Sequence, residues 1–174
     1  MTAFVALLRA VNVGGTGKLP MPDLRALCEA CGFAGVRTYI ASGNVVFGAG
    51  QGEAAVQQAL AARLEAYAGK PVGVFVRSAE EMAAVLAANP FPQAMPNRVM
   101  AVFLDAPPPR DCLAAATRVQ GEAMALGTRE IYVNYGEGMA DSRLRIPAAA
   151  AGTARNMNTV ATLAAMSAAL VAVR

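Results

Sequence analysis

The order in which strand-like and helix-like segments alternate constrains the fold of this chain more than any other feature. Residues 3–9 form an unbroken apolar run that ends at Arg9, which is typical of a strand buried on both faces of a sheet. A helix is predicted from Pro22 to about Cys31, because apolar residues recur there at helical spacing. The chain should therefore begin with a central strand followed by a helix.

The rest of the first half continues this alternation. Strands are predicted at Val36–Ala41 and Val45–Phe47, and the Gly43-Asn44 step between them favours a tight hairpin. A helix over residues 53–68 and a fourth strand at Val72–Val76 follow. The resulting order, β-α-β-β-α-β, is that of a ferredoxin-like unit.

The second half repeats this order in a degenerate form. A capping box from Ser78 to Glu81 starts a third helix, and the proline-rich residues 89–97 are expected to be a connector. The segments expected beyond it are a strand at Val99–Leu104, a short helix through Ala116, strands at 121–126 and 130–135, a helical turn near 142–146 and a helix over 157–171. No final strand is evident. We predict an α+β protein with two ferredoxin-like subdomains, βαββαβ with its following helix over residues 1–88 and degenerate βαββα over residues 98–174.

Composition limits the chemistry that such a fold could carry. The chain has three cysteines, and its opening apolar run is too short for a signal-peptide core, so a cytoplasmic location is expected. It has no histidine, which removes the commonest general base and metal ligand, and no metal or cofactor is expected. Polar residues interrupt the apolar C-terminal segment, so no membrane partner is expected. The net charge of +3 permits anionic partners without requiring them.

The loop that follows the first strand is the strongest candidate for a binding site. Its candidate residues are Arg9, Asn12, Gly14, Gly15 and Lys18. Glycines let backbone N–H groups turn toward an anion, and the two cations add charge. The segment lacks the first glycine and the Ser/Thr of a P-loop, and also the third glycine of a dinucleotide fingerprint. A plain strand-to-helix turn that needs positive φ is the alternative interpretation.

Topology adds polar groups to the same end of the predicted sheet. The first two strands of a β-α-β-β-α-β unit run in parallel, so their C-terminal ends lie together. This places the Arg9–Lys18 loop beside the turn that contains Ser42, Gly43 and Asn44. The fourth strand runs the opposite way, so Lys70, which precedes it, is expected at this end too.

Two other motifs have a structural interpretation beside a functional one. Arg155 and Asn156 precede the last helix, where they would either join an anion site or act as a solvated cation and an N-cap. Cys28 and Cys31 have C-x-x-C spacing, but they close a helix on its apolar stripe, which favours a core role over a redox role. The aromatic pattern of an RNA recognition motif is missing.

These segments together resemble a bacterial family known as domain of unknown function 1697. The family's opening pattern, L-L-R-G-I-N-V-G-G, is matched by residues 7–15, and its G-F…T-Y-x-x-S-G-N-V-x-F pattern by residues 32–47. Its N-P-F stands at residues 89–91, and its T-x-R-N-x-x-T-V-x-x-L at residues 153–163. The resemblance spans nearly the whole chain and implies a duplicated ferredoxin-like architecture, but no activity.

Two departures of this chain from the family pattern fall in or beside the candidate site residues. Ala10 stands where the family usually has glycine, and Met157 stands where it usually has tryptophan. The first departure falls inside the candidate loop, and the second directly follows Asn156.

Three functions are left open by the sequence. The first is a binding module for a small anionic ligand, such as a nucleotide or a phosphorylated metabolite, and it leads because it needs only backbone N–H groups and cations. The second is an enzyme acting on such a ligand, with Asp23 or Asp141 as the acid–base group. The third is an adaptor that contacts protein or nucleic acid through sheet edges or scattered arginines.

Overall fold

Two four-stranded antiparallel sheets, connected by α-helices and short 3-10 segments, make this an α+β protein. The computed structural model describes residues 1–14 and 17–173. It divides into two units, the first comprising Met1–Ala83 with residues 163–173, and the second comprising Ala84–Thr162.

The first unit is built around a strand that is buried on both faces. Its strands are β1 (Thr2–Leu8), β2 (Ala34–Tyr39), β3 (Asn44–Ala49) and β4 (Val74–Ser78), and its helices are α1 (Met21–Ala30) and α2 (Glu53–Ala68), with α3 (Ala79–Ala87) following β4. The sheet order is β2-β3-β1-β4, and every neighbouring pair is antiparallel. Strand β1 is therefore internal, as its unbroken apolar sequence predicts.

Helices α1 and α2 supply apolar stripes to one core. Leu24 and Cys28 are the buried residues of α1, and Val56, Leu60 and Leu64 recur every fourth residue along α2. They belong to the same core as alternate residues of β1 and β3, including Phe4 and Phe47. The Phe47 ring also stacks on Phe33, with ring centroids 4.2 Å apart.

The second unit has the same strand arrangement with less helix. It contains β5 (Val99–Phe103), β6 (Ala123–Leu126), β7 (Glu130–Asn134) and β8 (Thr153–Asn156), in the order β6-β7-β5-β8. Helix α4 (Met157–Ala172) follows β8, and its residues from 163 onward are counted in the first unit. Short 3-10 segments at Cys112–Ala115, Gly136–Asp141 and Pro147–Ala149 connect the strands. Residues of the first and last of these segments, and of the chain next to them, pack against Val102 of β5 and against Ile131 and Val133 of β7. In the described ranges, every helix is too short or too polar to span a bilayer.

The second sheet has a fourth strand that the sequence analysis missed. Residues Thr153–Asn156 were expected to be a loop leading into the last helix, but they pair antiparallel with β5. Only Thr153 and Arg155 of this short strand are buried, and neither is apolar. The strand therefore lacks the apolar alternation by which a strand is recognised.

Smaller differences concern the short elements. The turn expected near 142–146 is extended instead, because Arg145 exchanges two backbone hydrogen bonds with Thr117. The short helix expected through Ala116 is a single 3-10 turn. Strand β4 begins two residues later than expected and extends to Ser78, where the capping box starts α3 through two hydrogen bonds between Ser78 and Glu81.

The fourth strand of each unit has a buried arginine at its second-to-last position. Arg77 pairs with Val5 of β1, and Arg155 pairs with Ala101 at the matching position of β5. Both arginines are buried, and in each Nη1 donates to the carbonyl oxygen of the preceding residue, at 3.0 Å and 2.9 Å. Each is followed by the residue that caps the next helix. The repeat thus extends to individual side chains.

We expect the N-cap of α4 to stabilise the protein measurably. The Asn156 Oδ1 accepts a hydrogen bond of 2.9 Å from the Thr159 backbone N–H. Asn156→Ala should lower the free energy of unfolding by about 1 kcal/mol, since the N–H loses its partner. Asn158→Ala, an exposed change within the same helix turn, is the control and should cause no loss. Equal urea denaturation midpoints for the two variants would contradict the capping role.

Candidate functional site

The end of β1 is held from both sides by backbone hydrogen bonds. The Leu8 N–H donates to the Gly43 carbonyl at 2.9 Å, and the Arg9 N–H donates to the Gly73 carbonyl at 2.9 Å. Gly43 belongs to the turn between β2 and β3, and Gly73 immediately precedes β4. The loop after β1 therefore leaves the sheet between these two segments.

The Asn12 side chain closes this loop and ties it to the β2–β3 turn. Its Nδ2 donates to the carbonyl oxygens of Leu19 and Ala41, both at 2.8 Å, and its Oδ1 accepts from the Leu19 N–H at 2.6 Å. Asn12 and Ala10 both have φ near +56°, in the left-handed region. Ala10 thus occupies a backbone conformation that glycine adopts without strain, at the position where the resembled family has glycine.

The β2–β3 turn has four residues, 40–43, rather than the two-residue step that was expected. Gly43 has φ +89°, and a Cβ there would lie 2.6 Å from Val11 Cγ2. Asn44 is fully buried as the first residue of β3, and its Nδ2 donates to the Tyr39 carbonyl and to Ser42 Oγ. The Ser42 and Asn44 side chains therefore shape the turn.

Three cations line one cavity beside this loop, which we call the cationic cavity. Its volume is about 580 Å³, and its charged lining residues are Arg9, Lys18 and Lys70. The other lining side chains are apolar, except for Tyr67. No Asp or Glu is among the described residues that line it. Within the part of the chain that the structure describes, neither Lys18 nor Lys70 forms an ion pair.

A carboxylate lies next to the cavity and is held by Tyr67. The Tyr67 hydroxyl donates to Asp23 Oδ2 at 2.6 Å, which raises the pKa of the tyrosine. Tyr67 is the last large side chain of α2, and 45% of it is exposed. Its position three residues before Lys70 was the signal in the sequence that could have marked it as a site residue.

A second depression adjoins the cationic cavity. Its volume is about 700 Å³, and it shares Gly17, Lys18 and Leu19 with the cavity. Its remaining described lining residues are Asn12, Val13, Gly14, Pro20, Met21 and Ala41. The Lys18 side chain therefore belongs to both.

The candidate residues predicted from the sequence fall into distinct groups. Arg9 and Lys18 line the cationic cavity together with Lys70, which the topology argument had placed there. Asn12, Ser42, Gly43 and Asn44 build the scaffold behind it. Gly14 lines the adjoining depression, and Gly15 lies outside the described residues. Arg155 and Asn156 belong to the second unit, and their joining this site stays a prediction.

Arg155 is buried rather than solvated. Its Nη1 donates to Thr153 Oγ1 and to the Ala154 carbonyl, and burial lowers its pKa to about 10. Asn156 acts as the cap of α4 described above. The interpretation of Arg155 as a solvated cation is therefore wrong, while the interpretation of Asn156 as an N-cap is confirmed.

Comparison with known proteins identifies the family. Residues 1–132 match the sequence model of the family described as "Protein of unknown function (DUF1697)". The chain belongs to this family. Its fold is similar to that of the conserved bacterial protein SP0830 from Streptococcus pneumoniae, with a TM-score of 0.77 and 21% sequence identity over 95% of this chain and 98% of the other. No curated protein matches the chain.

The second unit of this DUF1697 protein has a different charge at the matching position. In the first unit, the Leu8 N–H bonds to the β2–β3 turn and Arg9 follows; in the second, the Leu104 N–H bonds to Arg129 of the β6–β7 turn and Asp105 follows. A carboxylate thus stands in the register position of Arg9. Among the described residues, no group of three or more His, Cys, Asp or Glu side chains could hold a metal ion.

The cysteines of this family member differ in exposure. Cys28 is fully buried, and burial, with smaller contributions from Cys31 and Glu29, raises the pKa of its thiol to about 12. Cys31 is partly exposed, so the shielding expected of both holds only for Cys28. Burial also raises the pKa of Cys31, although Arg63 opposes the shift.

We expect Gly43 to be indispensable for the turn. Gly43→Ala should lower the free energy of unfolding by about 2–3 kcal/mol, because a Cβ meets Val11 and the backbone is left-handed. Gly50→Ala is the matched control in the same unit, since a Cβ there meets nothing within 4 Å. Thermal denaturation should separate the two variants clearly, and a shared melting temperature would show that the turn tolerates a side chain.

The Cys28 thiol should be unreactive in the native protein. A pKa of about 12 keeps almost all of it protonated at pH 8, and burial shields it, so it should react far more slowly in the native protein than in the unfolded chain. The measurement is reaction with a thiol reagent in a Cys31→Ser, Cys112→Ser variant, with the urea-unfolded variant as the reactive control. Labelling at the same rate in both states would contradict the burial of Cys28.

Proposed function

We propose that this protein binds a small anionic ligand, a nucleotide or a phosphorylated metabolite, in the cationic cavity. The observation that carries the proposal is the lining itself. Three cations come from two separate segments, the loop after β1 and the segment before β4, with no carboxylate among the described residues that line the cavity. Like charges gathered in a concavity repel one another, and an anion with several acceptor oxygens offsets that repulsion through charge-assisted hydrogen bonds.

The scaffold behind the cavity supports the proposal. The Asn12 carboxamide uses both of its polar atoms to hold the loop that carries Lys18, and backbone hydrogen bonds hold Arg9. A loop that is already held loses less conformational entropy when a ligand binds. Preorganised cations of this kind favour binding.

An enzyme acting on the same ligand is the second candidate. The observation that favours it is the short hydrogen bond from Tyr67 to Asp23 at the edge of the cavity, because Asp23 was an acid–base candidate. The other candidate, Asp141, belongs to the second unit. Conversion of the bound ligand to a product, abolished in Asp23→Asn with binding retained, would distinguish an enzyme from a binding module.

We also infer that each unit is a ferredoxin-like subdomain. The strand orders β2-β3-β1-β4 and β6-β7-β5-β8, each fully antiparallel, support this inference. In the second unit, 3-10 segments take the place of the two helices between strands. The three free cysteines support a cytoplasmic location for the protein.

The proposal predicts that cations of the cavity control affinity. Arg9→Ala and Lys18→Ala should each weaken the binding of inorganic phosphate or ADP by about tenfold or more, because each loses a charge-assisted hydrogen bond. The measurement is isothermal titration calorimetry on variants that remain folded. Arg143→Ala removes an exposed charge of the second unit and is the matched control.

The outcomes separate the candidate functions. Equal affinity in the wild type, Arg9→Ala and Lys18→Ala would overturn the proposed site. Salt-sensitive binding of polynucleotide, with no binding of phosphate or ADP, would favour the adaptor that the sequence left open.

A further inference from the structure

We infer that the cationic cavity selects anions that also carry a hydroxyl group, as in a phosphorylated sugar or polyol, and that Tyr67 accepts a hydrogen bond from that hydroxyl. Asp23 is a positioning residue for this contact, because it fixes the direction of the Tyr67 O–H bond. This inference rests on the proposed function and adds to it a neutral group that the ligand must have.

Tyr67 is the only side chain among the described lining residues of the cavity that can accept a hydrogen bond. The charged lining residues, Arg9, Lys18 and Lys70, have donors alone, and the remaining lining residues are glycine or apolar. The anionic group of a ligand, which has acceptor oxygens, is suited to the cations. A hydroxyl group of the same ligand has the Tyr67 oxygen as its side-chain acceptor.

The hydrogen bond to Asp23 decides which role the Tyr67 hydroxyl plays. Its O–H donates to Asp23 Oδ2 at 2.6 Å, a length typical of a strong bond to a carboxylate. The raised pKa of Tyr67 keeps that hydrogen on the phenol at neutral pH. The phenol oxygen keeps its lone pairs, and no described residue donates to it. Tyr67 therefore offers a ligand an acceptor and no donor.

The Asp23 carboxylate also disfavours an anion that has no hydroxyl group. An anionic oxygen placed at Tyr67 would meet a hydroxyl oxygen with no hydrogen to offer, and a carboxylate bonded to it. A ligand hydroxyl at the same place avoids this repulsion and gains a hydrogen bond, which is strengthened because the carboxylate polarises the phenol. The selectivity thus has an attractive part and a repulsive part.

The position of Tyr67 makes this contact accessible. It lies in the last turn of α2, three residues before Lys70, and both residues line the cavity. Tyr67 is 45% exposed, so a ligand reaches it without displacing a buried side chain. The volume of about 580 Å³ lies within the range of small-molecule sites. A sugar phosphate or polyol phosphate therefore fits both the chemistry and the space.

The test compares glycerol 3-phosphate with n-propyl phosphate, which has the same carbon chain and phosphate group but no hydroxyl. In isothermal titration calorimetry at pH 7.5, glycerol 3-phosphate should bind about fivefold or more tightly, since it gains a hydrogen bond. The apolar lining alone would favour the opposite order, because a hydroxyl that is buried without a partner costs free energy.

Two variants separate recognition from a structural role. Tyr67→Phe removes the acceptor, so it should abolish the preference for glycerol 3-phosphate without weakening n-propyl phosphate. Asp23→Ala releases the Tyr67 hydrogen, which can then bond to a phosphate, so the preference should fall while n-propyl phosphate binds more tightly. Glu65→Gln removes an exposed carboxylate of α2 that does not line the cavity, and this matched control should change neither affinity.

The failures of the two proposals are distinguishable. Equal affinities of the wild type for the two esters, or tighter binding of n-propyl phosphate, would overturn hydroxyl recognition while leaving an anion site. A preference that survives in Tyr67→Phe would overturn the role of its oxygen, and one that survives in Asp23→Ala would overturn the positioning role. If neither ester binds to the wild type, the proposed function fails together with this inference.

Discussion

The two hydrogen bonds that hold the end of β1 determine where everything else in the candidate site can lie. Strand β1 is paired on both edges, so its last residues are fixed by Gly43 on one side and Gly73 on the other. The loop that follows must leave the sheet between these two residues. The Asn12 side chain then ties the loop to the β2–β3 turn by hydrogen bonds. Cations that are far apart in the sequence line one cavity because the segments that carry them meet at this point.

Much of the fold could be predicted because the apolar patterning of the first half is strong. The unbroken apolar run of β1 predicts a strand that is buried on both faces. The apolar stripe of α1 predicts a helix that is buried on one side. Strand β8 could not be recognised, because its buried positions are occupied by Thr153 and Arg155. Hydrogen bonds within the strand and to β5, rather than apolar burial, account for its place in the sheet.

The sequence predicted where the candidate residues lie, but not which of them line the cavity and which support the backbone around it. The parallel direction of the first two strands placed the Arg9–Lys18 loop beside the β2–β3 turn, and the opposite direction of the fourth strand brought Lys70 to the same end of the sheet. Residue type alone could not show that the Asn12 and Asn44 amides are used by the backbone around them. Whether a polar side chain serves the scaffold or a ligand depends on distances that only the folded chain sets.

The first unit has Arg9 at a position where the second unit has Asp105, and this difference bears on how many anions one chain could bind. The backbone of the second unit repeats the end of β1 closely, down to the hydrogen bond that Leu104 makes. If backbone shape alone recruited anions, each chain would have two equivalent places for them. The second unit has a carboxylate at the matching register, so the anion binding that we propose for the first unit would have no counterpart there and would saturate at one equivalent of ligand per chain.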